Sequence, residues 1–260
     1  MNLKLNGRTA LITGASKGIG LASAESLAGE GVHVILVSRT KADLDKAADG
    51  IRKRHNVRVE VEALDLADSK SVDILAKHYP GIDILVNNAG AIPGGHVIEI
   101  DEAKWRHAWD LKVFGYINMT RAFFTLMKAR GNGVIVNVLG SAGEQMDFDY
   151  IAGSSGNASL MAFTRAMGGR SVDFGVRIVG INPGAIMTDR IVTMMRKRAK
   201  DRLGDADRWQ ELLQPLPFSR AGKPEEIGDM VAFLASDRSG YTSGTVITID
   251  GGSVNRTGVF

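Results

Sequence analysis

Seven short runs rich in Val and Ile recur along this chain, each followed by a stretch of helical length. The runs lie at 9–13, 32–37, 57–64, 82–86, 134–138, 176–181 and 245–249. A strand with one wet face alternates polar and apolar residues, whereas a largely apolar strand is covered on both faces. Helical patterns at 18–30, 42–53, 69–78, 105–129, 154–172 and 224–236 separate the runs. That alternation predicts parallel strands joined by helical crossovers. Right-handed crossovers place every strand's C-terminal end on one edge of the sheet, where ligands bind. The expected fold class is α/β: a Rossmann fold with a doubly wound, seven-stranded parallel sheet and helices on both faces. With no linker, low-complexity tract or tandem repeat, 1–260 reads as a single domain.

Composition removes several functions. The 260 residues include no cysteine, which excludes disulfides, a thiolate nucleophile and a zinc–thiolate site. The five histidines are scattered with no spaced pair, so no metal site is expected. A net charge of +3, carried by dispersed bases, gives no reason to expect nucleic acid as a partner. No stretch reaches the ~20 apolar residues of a membrane span. The first fourteen residues read as the approach to a strand and not as a signal peptide, so a cytoplasmic protein is expected.

The first run ends in Thr13-Gly14-Ala15-Ser16-Lys17-Gly18-Ile19-Gly20, and a helix opens at once. A turn this tight needs backbone shapes that glycine adopts cheaply. Missing side chains let the backbone approach a pyrophosphate, and the free N–H groups and dipole of the helix N-terminus favour its charge. The turn therefore predicts dinucleotide binding.

Three further motifs follow in order. They are Asn87-Asn88-Ala89-Gly90 after the fourth run, Asn182-Pro183-Gly184 with Thr188 after the sixth, and Ser243-Gly244 through Asp250-Gly251-Gly252. Together with Gly14, Gly18 and Gly20, these resemble the short-chain dehydrogenase/reductase family over nearly the whole chain, from about Leu5 to Gly252. The resemblance implies a cofactor site that includes Gly14, Ser16, Lys17, Gly18, Ile19, Gly20, Asn88, Ala89, Gly90, Pro183, Gly184, Ile186 and Thr188. It also implies that Asp65 and Leu66 flank the adenine. Members that use NAD usually carry an acid after the second strand for the ribose hydroxyls. This chain has Ser38-Arg39 there instead. A guanidinium fork suits a 2′-phosphate, and Lys17 would reach it from the other side. The expected cofactor is NADP(H).

The same resemblance implies a catalytic serine, tyrosine, lysine and asparagine, but other residues stand at those positions. With the fifth strand and the helix after it as anchors, the serine position falls on Gly140, with Ser141 one step later. The tyrosine position falls on Gly153, the lysine position on Asn157 and the asparagine position on Lys112. Lysine and asparagine have thus changed places. Lys112 is expected to reach into the pocket and supply the missing ammonium, with Asn157 or a ribose hydroxyl as acceptor, since an unpartnered buried ammonium is costly. Tyr150 is the candidate proton donor, with Lys112 as its cation. Glu144 and Asp147 are alternative acids. The candidate catalytic set is Lys112, Tyr150, Asn157 and Ser141.

The resemblance also implies a substrate-covering segment, here about 189–219. Its bases, Arg190, Arg196, Lys197, Arg198, Lys200 and Arg202, read either as the rim of a site for an anionic substrate or as a solvated helix face. Ile92, Pro93, Met146, Phe148 and Ile186 are expected apolar walls, and Trp105, Trp109 and Trp209 packing residues. The leading function is an NADP(H)-dependent oxidoreductase acting on a small-molecule carbonyl or alcohol, with a rearranged site. The alternative is an inactive NADP(H)-binding sensor or assembly protein. A non-redox lyase on the same fold is a third reading, but such relatives lose the glycine turn and keep serine and tyrosine. The family further implies a homotetramer, built through 105–129, 154–172 and the last strand.

Overall fold

The computed structural model describes residues 1–256. Each run read as a strand is one: β1 (Thr9–Thr13), β2 (His33–Ser38), β3 (Val59–Ala63), β4 (Ile84–Asn87), β5 (Gly133–Val138), β6 (Val176–Pro183) and β7 (Val246–Ile249). All pairs are parallel, in the order β3-β2-β1-β4-β5-β6-β7. The central strands β4 and β5 are buried along their whole length, as continuous apolar runs require. β3 alternates Val59 and Val61 with Glu60 and Glu62 because it is an edge, where charge discourages further strand pairing.

Helices cover both faces. On one side α1 (Gly18–Gly29), α2 (Lys41–Arg54) and α8 (Pro224–Ala235) bury Leu27, Leu44, Ile51, Ile227 and Val231 against the sheet. On the other, α3 (Ser69–His78) and α5 (Gly115–Arg130) bury Val72, Leu75, Met119, Phe123 and Met127 against Leu11, Leu85 and Ile135. Each such side chain contributes roughly 1.5–3 kcal/mol by leaving water. Order reverses between β1 and β4, so a crevice opens beyond their C-terminal ends.

One expectation needs correction. The helix read at 105–129 starts earlier, as α4 (Glu102–Trp109), because Asp101 caps its first turn by accepting from the Lys104 N–H. It then widens into one π-helical turn, Asp110–Phe114, before α5 begins. That turn carries Lys112, whose side chain is drawn inward to β5. The segment at 189–219 forms a helix, α7 (Asp189–Leu203), then short 3-10 turns at Ala206–Leu213 and Pro217–Ser219. Met195, Leu213 and Ala221, with Trp209 against them, give this segment its own small apolar core. α6 (Ile151–Ser171) lies against α4 and the π turn, where Trp109 Nε1 donates to the Ala152 carbonyl at 3.0 Å. Among the described residues no helix is long and apolar enough to cross a membrane, and no cluster of three or more potential metal-ligating side chains occurs.

Candidate active site

The turn between β1 and α1 is shaped for a close visitor. Gly14 and Gly18 have φ of +65° and +58°, and a Cβ on Gly20 would strike the Gly14 carbonyl oxygen. Side chains cap α3 and α4 through Asp68 and Asp101, but the cap position of α1 is Lys17, whose side chain makes no capping bond. There is also no acid in the first turn of α1. The amides of that turn are left to an outside anion, which fits a dinucleotide pyrophosphate.

The second motif is stitched to this turn. Thr13 Oγ1 accepts from the N–H groups of Asn88 and Ala89 at 2.8 and 3.0 Å, and Asn88 Nδ2 donates to the Thr13 carbonyl at 3.0 Å. The third motif closes over it: Thr188 Cγ2 would lie 3.2 Å from a Cβ on Gly18. Gly184 N–H donates to the Ile249 carbonyl, tying the turn after Pro183 to β7. Ile186 is buried and packs on Gly222. Ser16 and Ile19 are half-buried in the glycine turn.

At the outer end of the crevice, Ser38 Oγ is buried without a hydrogen-bond partner. Arg39 beside it is exposed and makes no ion pair among the described residues. Lys17 is also exposed and stands 4.0 Å from Asp189. Asp65 closes a local turn through the Ala67 N–H, and Leu66 is buried.

Further along the same edge, Lys112 is buried at 7% exposure. Its Nζ donates to the Val138 carbonyl and to Tyr116 Oη, both at 2.8 Å, and more weakly to the Leu139 carbonyl at 3.4 Å. Its stem runs beneath Gly90, where a Cβ would lie 2.6 Å from Lys112 Cδ. Burial, with a smaller push from the Arg190 charge, brings its pKa down from 10.5 to about 7. The acceptors are backbone carbonyls and a phenol; Asn157, one of the two expected acceptors beside a ribose hydroxyl, makes no bond to it among the described residues. Asn157 is nevertheless buried close by: its Nδ2 would lie 3.0 Å from a Cβ on Gly140, and its Oδ1 has no partner.

Gly153 sits in the first turn of α6, and the ring of Tyr150 lies over it. A Cβ there would fall against Tyr150 Cε1 and Cζ, so any side chain would expel the ring. The cation at this phenol is Arg190, not Lys112 as expected. Arg190 Nη2 donates to Tyr150 Oη at 3.0 Å and to the Ile92 carbonyl at 2.9 Å. Neither alternative acid points into the site. Glu144 accepts from Thr248 Oγ1 at 2.7 Å, and Asp147 closes a turn on the Asp149 N–H at 2.9 Å. Ser141 is half-buried at the start of a 3-10 turn. Of the expected walls, Ile92 is buried, while Pro93, Met146 and Phe148 are exposed at the mouth.

A glycine turn at the switch point of a parallel sheet, feeding an uncapped helix, defines a dinucleotide-binding α/β protein. The family model described as enoyl-(acyl carrier protein) reductase matches residues 14–254. The chain is 31% identical to galactitol 2-dehydrogenase (L-tagatose-forming) of Cereibacter sphaeroides, covering 96% of both chains. L-sorbose reductase from Gluconobacter frateurii, solved with NADPH and L-sorbose, superposes with a TM-score of 0.91 at 32% identity, over 99% of this chain and 100% of that one. An NAD+-bound xylitol dehydrogenase superposes at 0.87 and 26% identity, over 96% and 100%. The protein belongs to the short-chain dehydrogenase/reductase family of oxidoreductases.

Sequence reasoning missed Tyr116 altogether and took Arg190 only as one base of the covering segment. Tyr116 stands four residues after Lys112, a spacing that puts the two on one helix face and was available as a signal. Arg190 lies 40 residues from Tyr150 and carries no such local signal.

Proposed function

We propose that this protein is an NADP(H)-dependent dehydrogenase/reductase that interconverts a small-molecule carbonyl and alcohol with a rearranged set of catalytic side chains. One observation carries the reading: a phenol lies over Gly153 at the head of α6, on the same sheet edge as a buried ammonium. When bound, the nicotinamide would supply or accept the hydride exchanged with the carbonyl carbon. Tyr150 gives the proton to the carbonyl oxygen during reduction and takes it back during oxidation. Lys112 supplies positive charge beneath the site, and the unpartnered Oδ1 of Asn157 accepts from a cofactor hydroxyl. Ser141 is the further polar group facing the substrate carbonyl.

Gly14, Ser16, Lys17, Gly18, Ile19 and Gly20 grip the pyrophosphate. Asn88, Ala89 and Gly90 line the ribose side, with Asp65 and Leu66 at the adenine. Pro183, Gly184, Ile186 and Thr188 hold the nicotinamide. NADP(H) is favoured over NAD(H) because, among the described residues, Ser38 Oγ lacks a partner and Arg39 makes no ion pair, Lys17 is exposed in the glycine turn, and no acid follows directly on β2. The relatives named above act on polyols or ketoses, which supports a carbonyl–alcohol pair. The 189–219 segment covers the substrate. A cavity of about 600 Å³ on the outer face of α4, lined by Val97, Trp105, Trp109 and Phe114, supports assembly with a second copy in a homotetramer.

The test is a screen of polyols, ketoses, aldehydes and 3-oxoacyl thioesters, followed at the NADPH absorbance band, with Tyr150→Phe beside the parent. Losing general acid help lowers kcat by about 10²–10⁴-fold. Tight NADPH binding without turnover of any member of the panel would return the sensor reading. A Tyr150→Phe variant as fast as the parent would remove Tyr150 from the mechanism.

A further inference from the structure

We propose that Arg190 is the positioning residue of the proton donor: it holds the Tyr150 phenol oxygen, so the acid is assembled only when α7 lies across the site. This rests on the reading that Tyr150 gives and takes the proton.

Nothing on Tyr150's own helix fixes its oxygen. The residue precedes α6 with φ −138° and ψ 40°, outside the helix, and its side chain makes no capping bond. Packing on Gly153 sets where the ring lies but leaves the hydroxyl unanchored. Two bonds from one nitrogen of Arg190 do the anchoring, one to Tyr150 Oη and one to the Ile92 carbonyl. The Ile92 carbonyl belongs to the loop after β4, so the guanidinium spans the mouth from α7 to that loop. Because Arg190 only donates, Tyr150 Oη is an acceptor in this contact and keeps its own proton for another acceptor. That is the orientation a proton donor needs.

The cation is free to act in this way. Among the described residues Arg190 forms no ion pair, while its neighbour Asp189 faces Lys17 and Arg196 faces Asp207. The Arg190 charge also reaches Lys112, which it helps hold towards the neutral form. The guanidinium therefore lies within electrostatic range of both the phenol and the ammonium. A carbonyl oxygen gaining negative charge at Tyr150 would meet the positive charge of the Arg190 guanidinium.

The experiment is a double-mutant cycle on the full chain, with a substrate from the screen and saturating NADPH. Tyr150→Phe lowers kcat by about 10²-fold. Arg190→Met lowers kcat by about tenfold or more, the effect of losing a charge-assisted hydrogen bond. KM for NADPH stays within about twofold, as expected for an interaction that matters only in the chemical step. Arg190→Lys restores part of the loss, since an ammonium can still donate to Oη but cannot span to the loop as well. The double variant is no slower than Tyr150→Phe alone, because Arg190 acts through the phenol. Lys53→Met, an exposed base in the last turn of α2, leaves kcat unchanged. Losses that multiply in the double variant, or an Arg190→Met that raises substrate KM with kcat intact, would overturn the proposal in favour of direct binding of an anionic substrate.

A second readout needs no turnover. With fluorotyrosine in place of the four tyrosines, the Tyr150 resonance is assigned by its loss in Tyr150→Phe. It is expected to move in Arg190→Met and to stay in Lys53→Met. A resonance indifferent to Arg190 refutes the contact even in a protein that turns over. A resonance that moves in a protein that never turns over keeps the contact and refutes the reaction.

Discussion

Replacing Lys112 by methionine isolates the electrostatic cost of the buried ammonium. Burial brings its pKa to about 7 in the folded protein, against 10.5 for an ordinary lysine. Between those values the unfolded chain holds the proton and the folded protein does not. The unfolded state then binds more protons, so stability rises with pH by about 1.4 kcal/mol per pH unit. Below about pH 7 both states are protonated and the penalty stands at its full size, roughly 5 kcal/mol. Above about pH 10.5 neither is protonated and the penalty is gone. Methionine keeps the apolar stem and removes the charge. It orphans neither main partner, because Tyr116 Oη still donates to the Val138 carbonyl at 2.7 Å. The variant is therefore expected to be more stable than the parent at neutral pH. Its advantage shrinks by about 3 kcal/mol between about pH 7.5 and 9.5. Urea unfolding of both proteins across that range is the assay. With a slope of about 3 kcal/mol per molar urea, the gap between midpoints narrows by about 1 M. All other titrating groups are shared, so the difference reports Lys112. A gap that stays constant across the range would refute the burial argument, and a gap that widens would reverse its sign.

Three more outcomes follow from the geometry. Arg39→Ala weakens NADPH by about 10–100-fold, the worth of a charge-assisted contact, and leaves NADH within about twofold; calorimetry with both cofactors checks it. Gly20→Val abolishes binding of both, since its Cβ meets the Gly14 carbonyl, while circular dichroism stays that of the parent. Asn137→Ala breaks a buried chain in which Asn87 Nδ2 donates to Asn137 Oδ1 and Asn137 Nδ2 donates to Thr164 Oγ1, both at 2.9 Å. Asn87 Nδ2 keeps its bond to Thr120 Oγ1 at 3.2 Å, and losing the donor to Thr164 costs about 1–3 kcal/mol in urea unfolding.

The sheet and the glycine turn were legible because their causes are local. Burial on both faces writes itself as a Val/Ile run, and a phosphate turn writes itself as spaced glycines. The candidate catalytic side chains were legible as positions but not as contacts. The sequence offers Asn157 or a ribose hydroxyl as acceptor for Lys112, yet the ammonium finds backbone carbonyls at the end of β5, which any sequence supplies equally. The π turn at Asp110–Phe114 was invisible because widening one turn scarcely disturbs an apolar period over five residues. Arg190 was read among the bases of α7, and only the fold brings it across to Tyr150. Gly153 was read as an absence, whereas its missing side chain is the space that the Tyr150 ring occupies.

Several contacts tie the start of α7 to the site, and their unequal strengths decide how the proposed cover responds to cofactor. The Lys17–Asp189 pair is 4.0 Å long with side chains 71% and 85% exposed. A pair so exposed contributes about 0–1 kcal/mol. A 2′-phosphate that draws Lys17 away would therefore give up little. Thr188 against Gly18, Arg190 on Tyr150 and Ile92, and the Met195–Leu213–Ala221 cluster all remain. Cofactor binding and placement of the proposed proton donor would then share the start of α7 without competing for it. Lys17 can turn to a phosphate while Arg190, one residue after the acid it releases, continues to hold the phenol.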